Sequence, residues 1–255
     1  MRFFLFLMGS FAALAVAAVA NDDASPFDPL ADVSPPLAAA IRNYAKDVGR
    51  WAYTQHSVEF DRKGKINKER LVRYDPSQHY DEQWTLLTED GKEPTPERAK
   101  KYRRKQAKRN PERRTLGELL ELKRATLLRE DADVLTYEVP LMMQNNTRLP
   151  PEKFQVYVLV ERETQTLRHI DVKLRDSMRM ALVVKVKSGG AQLAFDRVKP
   201  DFGPTLTSIK AEGAGSILLV PVGGAAEMKR TEFKRVTPYD ERFEVKLGPL
   251  KAIDF

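Results

Sequence analysis

The chain has 255 residues, a formal net charge of +7 and no cysteine, which is enough length for a full hydrophobic core without covalent staples. The missing cysteine excludes disulfides, thiolate catalysis, cysteine-ligated metal and a lipid-modified cysteine. The cationic surplus favours anionic partners.

Met1-Arg2 is followed by an apolar run from Phe3 to Val16 and by Ala18-Val19-Ala20 before Asn21. A basic start, a short apolar stretch and a small-x-small end predict a signal peptide over residues 1–20, cleaved at Ala20/Asn21. The run is short for a bilayer span and no later stretch is long enough. The expected product is a soluble periplasmic or secreted protein, for which lipid headgroups, lipopolysaccharide or acidic polymers are better anionic partners than nucleic acid.

Residues 21–36 are acidic and proline-bearing, which predicts a flexible tether, with Ser34 as N-cap and Pro35 opening a helix. Leu37, Ile41, Tyr44 and Val48 then form an apolar stripe that must pack on a sheet, and Gly49 ends the helix. Strands are predicted over Trp51–Phe60, Lys68–Tyr74 and Gln83–Thr88, with turns at Arg62–Lys65 and Glu89–Lys92. Thr95-Pro96-Glu97 then starts a helix reaching about Arg109, within a basic insertion spanning 96–114. It carries Arg98, Lys100, Lys101, Arg103, Arg104, Lys105, Lys108 and Arg109 with almost no apolar stripe, so the expectation is an exposed, mobile helix. A short helix near Leu116–Leu122 and a hairpin of Ala125–Leu128 with Val134–Val139 lead to an irregular bridge over Pro140–Pro151.

From Phe154 to Val236 the chain reads as one antiparallel meander. Phe154, Val156, Val158 and Val160 alternate, as do Ile170, Val172 and Leu174, and then Met178, Met180, Leu182, Val184 and Val186 as one strand. Turns are expected at Glu163-Thr164-Gln165, Ser188-Gly189-Gly190, Glu212-Gly213-Ala214-Gly215 and Val222-Gly223-Gly224, because glycine tolerates positive φ. The predicted fold is mainly β (α+β). A curved antiparallel meander forms an incomplete barrel within one domain over 37–255, covered by the N-terminal helix.

This order of elements, an amphipathic helix after a secretory signal, an aromatic-rich hairpin, a helical interruption and a long meander, resembles the outer-membrane lipoprotein carrier and receptor proteins, the LolA/LolB-like half-barrel. The stretches Tyr74-Asp75-Pro76-Ser77, Trp84-Thr85-Leu86-Leu87 and Asp90-Gly91-Lys92-Glu93-Pro94-Thr95 also resemble a group of secreted bacterial proteins of unknown function. The half-barrel resemblance implies an apolar cavity between sheet and helices that receives acyl chains, and no cofactor. The absent cysteine excludes the lipid-anchored receptor form.

Catalysis finds little support. His56, His79 and His169 have no metal-ligand spacing, and no nucleophile elbow, P-loop or dinucleotide fingerprint is present. The expectation is a non-enzyme without metal. His79 beside Asp81 offers only a conceivable His–carboxylate pair. Val156, Val158, Val160, Ile170, Val172, Met180, Leu182, Val184 and Leu218 are either ordinary core or the lining of a ligand cavity. Arg98, Lys101, Arg104, Lys105 and Lys108 are either a solvated face or contacts for anionic headgroups or a partner. Two functions follow from these alternatives. One is a carrier or sensor of a lipid, an acylated protein or another amphiphile, with peripheral membrane contact. The other is an envelope protein-interaction module using strand edges and the basic helix.

Overall fold

The computed structural model describes residues 28–108, 116–143, 150–180, 184–218 and 220–242. The expected leader, the end of the basic insertion (109–114), the Gln144–Asn146 bridge and Leu182 lie outside the described residues. Helix α1 (Pro35–Ala45) is followed by β1 (Trp51–Asp61), β2 (Ile66–Tyr74) and β3 (Trp84–Glu89). Helices α2 (Pro96–Ala107) and α3 (Leu116–Leu119) then lead to β4 (Thr126–Glu130), β5 (Val134–Glu138), β6 (Phe154–Glu161) and β7 (Thr166–Leu174). The chain continues through β8 (Met178–Met180), β9 (Val184–Asp196), β10 (Thr205–Ile217) and β11 (Val220–Arg235).

All strands join one antiparallel sheet in the order β3-β2-β1-β11-β10-β9-β7-β6-β5-β4, with β8 on β9. The last strand pairs with the first, Trp51 opposite Arg235, so the meander and the N-terminal hairpin are one surface. The two ends, β3 and β4, do not pair, and the sheet is not closed into a barrel. No helix among the described residues is long and apolar enough to cross a membrane.

Helix α1 covers one face, called the inner face below. Leu37, Ile41 and Tyr44 are buried in a single cluster with Val156, Val158, Ile170, Val172 and Leu193. Tyr44 meets Phe195 edge-on at 5.2 Å, and its burial pushes the phenol pKa up to about 12. Gly49 follows at φ 81°, as its role at the helix end predicts. Ser34 does not cap through its side chain; its hydroxyl instead lies 3.0 Å from that of Tyr137. The stretch expected as a tether is docked from Leu30 onward, with Val33 buried in the same cluster.

Two sequence expectations are corrected. Met178–Met180 and Val184–Val186 belong to two paired antiparallel strands rather than one, with Met178 opposite Val186 and Met180 opposite Val184. Paired antiparallel residues share a face, so alternation looks the same for a strand and for a strand folded back on itself. The glycine clusters at 188–190, 212–215 and 222–224 are strand interiors of β9, β10 and β11. Among the described glycines only Gly49, Gly64 and Gly91 have positive φ. The strand glycines answer to space. A Cβ would fall 2.9 Å from the Val172 carbonyl at Gly190, 2.3 Å from that of Lys185 at Gly215 and 2.3 Å from that of Phe60 at Gly224.

Candidate functional site

Side chains opposite one another across antiparallel strands point to the same face, so the register identifies what lines the inner face. One row runs Val156, Val172, Ala191, Ala211, Ala226 and Glu59 across β6, β7, β9, β10, β11 and β1. Beside it, Gly189, Gly213, Gly224 and Asp61 form a second row. On β9, β10 and β11 these two rows contain nothing larger than a methyl group. With strands about 4.8 Å apart, they make a strip about 10 Å across with no side chain beyond a methyl, called the trough below. Ala191 and Ala211 are buried, whereas Gly189, Gly213, Gly224 and Ala226 are partly open. The trough therefore runs from solvent toward the core beneath α1.

The opposite wall comes from β1, β2, β3 and α2. Tyr53, Tyr74 and Trp84 stack in sequence, with centroids 5.1 Å and 4.6 Å apart, and the Arg230 guanidinium lies 4.3 Å over Tyr53. Gln55 Nε2 donates to Ser57 Oγ at 3.2 Å. Arg70 Nη2 donates to Glu59 at 2.8 Å, and Lys68 pairs with Glu89 at 2.9 Å. An apolar floor thus meets a polar, mostly ion-paired rim.

Helix α2 stands on this rim. Thr95 caps it, accepting the Arg98 N–H at 3.3 Å. Its expected detachment is corrected by two contacts. Tyr102, the only aromatic of the helix, is 6% exposed in a cluster with Val72 and Leu86. Arg98 donates twice to Glu89, at 2.5 Å from Nε and 2.6 Å from Nη2. The Arg98 bond, joined by Lys68, holds the Glu89 carboxyl down to about 2. Lys101, Arg104, Lys105 and Lys108 are exposed, while Arg98 is committed to Glu89.

The residues singled out as core or cavity lining do not form one open surface. Val156, Val158, Val160, Ile170 and Val172 are together, buried beneath α1. Val184 is half-buried on β9, Met180 of β8 pairs opposite it, and Leu218 stands exposed at the end of β10. The small-residue rows were legible as Gly189/Ala191, Ala211/Gly213 and Gly224/Ala226 at strand spacing, a signal hidden when glycine is read only as a turn former.

His79 Nδ1 lies 2.5 Å from Asp81, a contact that lowers the Asp81 pKa, but the pair is exposed in a loop. His56 contacts Glu69 at 2.6 Å and His169 lies on the outer face of β7, opposite Ala194. Among the described residues no group of three or more His, Cys, Asp or Glu could hold a metal ion. A hollow of about 360 Å³ lined by Ala132, Asp133, Glu161, Arg162 and Glu163 is polar in character. No protein-family model matches the chain, and no curated protein or solved structure shows significant similarity to it.

Proposed function

We propose that this is an exported, LolA/LolB-like binding protein of the cell envelope, non-catalytic, whose inner sheet face receives the apolar chain of a lipid or acylated protein. The observation that carries the reading is the small-residue trough. Two adjacent rows on three strands lack side chains beyond a methyl, one end is open, and the other meets the buried valines beneath α1. Ordinary core packing fills such a face with Leu, Ile or Phe; here the backbone itself is the floor. An extended methylene chain fits a smooth floor because every added methylene buries area without needing a specific partner.

The polar rim suits the other end of an amphiphile. Arg230 lies on the same sheet face as the trough, and α2 with its exposed cations packs on Val72 and Leu86 of that face, so positive charge is available to an anionic headgroup along the β1–β3 side. Burial of about ten methylenes contributes on the order of 8 kcal/mol before ordering costs, the scale of micromolar affinity.

Native mass spectrometry of protein purified from its own envelope fraction tests the proposal. A reproducible adduct of lipid mass that dissociates on activation supports it. A bare polypeptide, or a stable protein complex without lipid, supports the interaction-module reading instead. That second reading has one specific observation behind it: the sheet ends in β4, every residue of which is exposed, including Leu127 and Leu128.

A further inference from the structure

The sheet carries a second unusual surface at the end formed by β8, the first residues of β9 and the β10–β11 hairpin. Ile217 pairs with Val220, so two residues join β10 to β11. The first of them, Leu218, has φ of 48°. Glycine, asparagine or aspartate normally occupies such a position, and a leucine there costs about 1 kcal/mol. Burial does not compensate: Leu218 is 69% exposed and Val220 is 63% exposed. Strain and exposed apolar area are both unfavourable in water, a combination that points to use in another environment.

The neighbours define that environment. Lys185 lies between Ser216 and Arg179 in the sheet, and Arg179, Lys185 and Lys187 are exposed. Residues 178–180, 184–188, 214–218 and 220–224 contain no Asp or Glu. Gly224 is the last residue of β11 paired to β1, opposite Asp61. Val220 therefore stands about 13 Å beyond the end of that pairing. The feature is a corner of the sheet that extends past β1 on one side and is flanked by β9 and β8 on the other, with an apolar tip and a cationic flank.

We propose that this hairpin is a membrane-docking element: Leu218 and Val220 enter the headgroup–acyl boundary of an anionic phospholipid bilayer while Arg179, Lys185 and Lys187 contact its phosphates. Apolar side chains gain by leaving water there, and each cation near an anionic surface adds a salt-screened attraction. A purely acidic protein surface would match the cationic flank but leave the leucine and valine exposed. The inference does not depend on the trough, since docking and chain binding use different residues.

The absence of cysteine makes the test direct. Val220→Cys and, as a control on the far edge, Leu127→Cys each provide one attachment point for an environment-sensitive dye on the full chain. With phosphatidylglycerol–phosphatidylcholine vesicles, the dye at position 220 should shift to the blue and become shielded from an aqueous quencher, while that at 127 should not. Leu218→Gly relieves the left-handed strain, so it should melt no lower than wild type yet bind these vesicles about tenfold more weakly. Equal quenching at 220 and 127 in the presence of vesicles would overturn the proposal. So would unchanged vesicle affinity of Leu218→Gly, or a response at 220 to an acidic protein but not to vesicles.

Discussion

Arg98 of α2 and Glu89 at the end of β3 form a two-pronged ion pair that ties the basic helix to the sheet. The bond from Arg98, joined by Lys68, holds the Glu89 carboxyl down to a pKa of about 2. A carboxyl depressed in the folded state contributes stability that is complete above its unfolded pKa near 4.5 and lost as pH falls toward 2. Between those limits α2 should loosen before the sheet melts. Amide protection over residues 96–107, taken relative to the intrinsic exchange rate, which itself slows as pH falls, should drop from pH 5 to pH 3 while that of β6 holds, and Glu89→Gln should abolish that difference. The variant should weaken attachment at neutral pH by about 2 kcal/mol, the scale of a hydrogen bond to a charged group.

Tyr102 is the other anchor. Tyr102→Ala removes the aromatic that α2 packs against Val72 and Leu86, at a cost of about 3 kcal/mol to the docked state. Proteolysis within α2 should rise sharply while the main thermal transition stays near that of wild type. Loss of both together would mean that α2 and the sheet form one cooperative unit.

Val158 is 0% exposed in the centre of the cluster beneath α1. Val158→Asp would bury an unpaired charge and should cost about 4 kcal/mol, so it reports on folding before it reports on ligand. A melt that stays at the wild-type temperature would show that this side of the sheet opens to water.

The strand glycines separate space from backbone freedom. Gly215→Ala places a methyl 2.3 Å from the Lys185 carbonyl, whereas Gly189→Ala meets nothing closer than 3.6 Å. Gly215→Ala should therefore lower stability by about 2 kcal/mol and Gly189→Ala by less than about 1. Denaturant titrations of the two variants check the contrast.

Much of the fold was legible because period-two alternation and capping chemistry are local. Phe154 to Val160 alternated as read, Thr95 capped its helix, and Leu37, Ile41 and Tyr44 found the sheet. What escaped was pairing information. Met178 to Val186 alternates identically whether straight or folded back, and Gly213 acquires its meaning only from Gly189 and Gly224 on either side. The docking of α2 rested on one tyrosine and one arginine, too little to register as an apolar stripe. The trough was hidden for the same reason: it consists of side chains that are absent, on strands that only tertiary pairing brings together.

The central claim is that an apolar chain lies on the Gly/Ala floor, and a titration of delipidated protein with a fluorescent fatty acid, comparing wild type with Ala226→Trp, tests it most directly. Ala226 is only partly buried, so the indole can occupy the trough without displacing the core beneath α1. The account predicts saturable, micromolar binding by wild type, at least tenfold weaker binding by Ala226→Trp, and similar melting temperatures for the two. Equal affinity of both proteins, or no saturable binding by wild type to this probe, to phospholipid or to an acylated peptide, would contradict it.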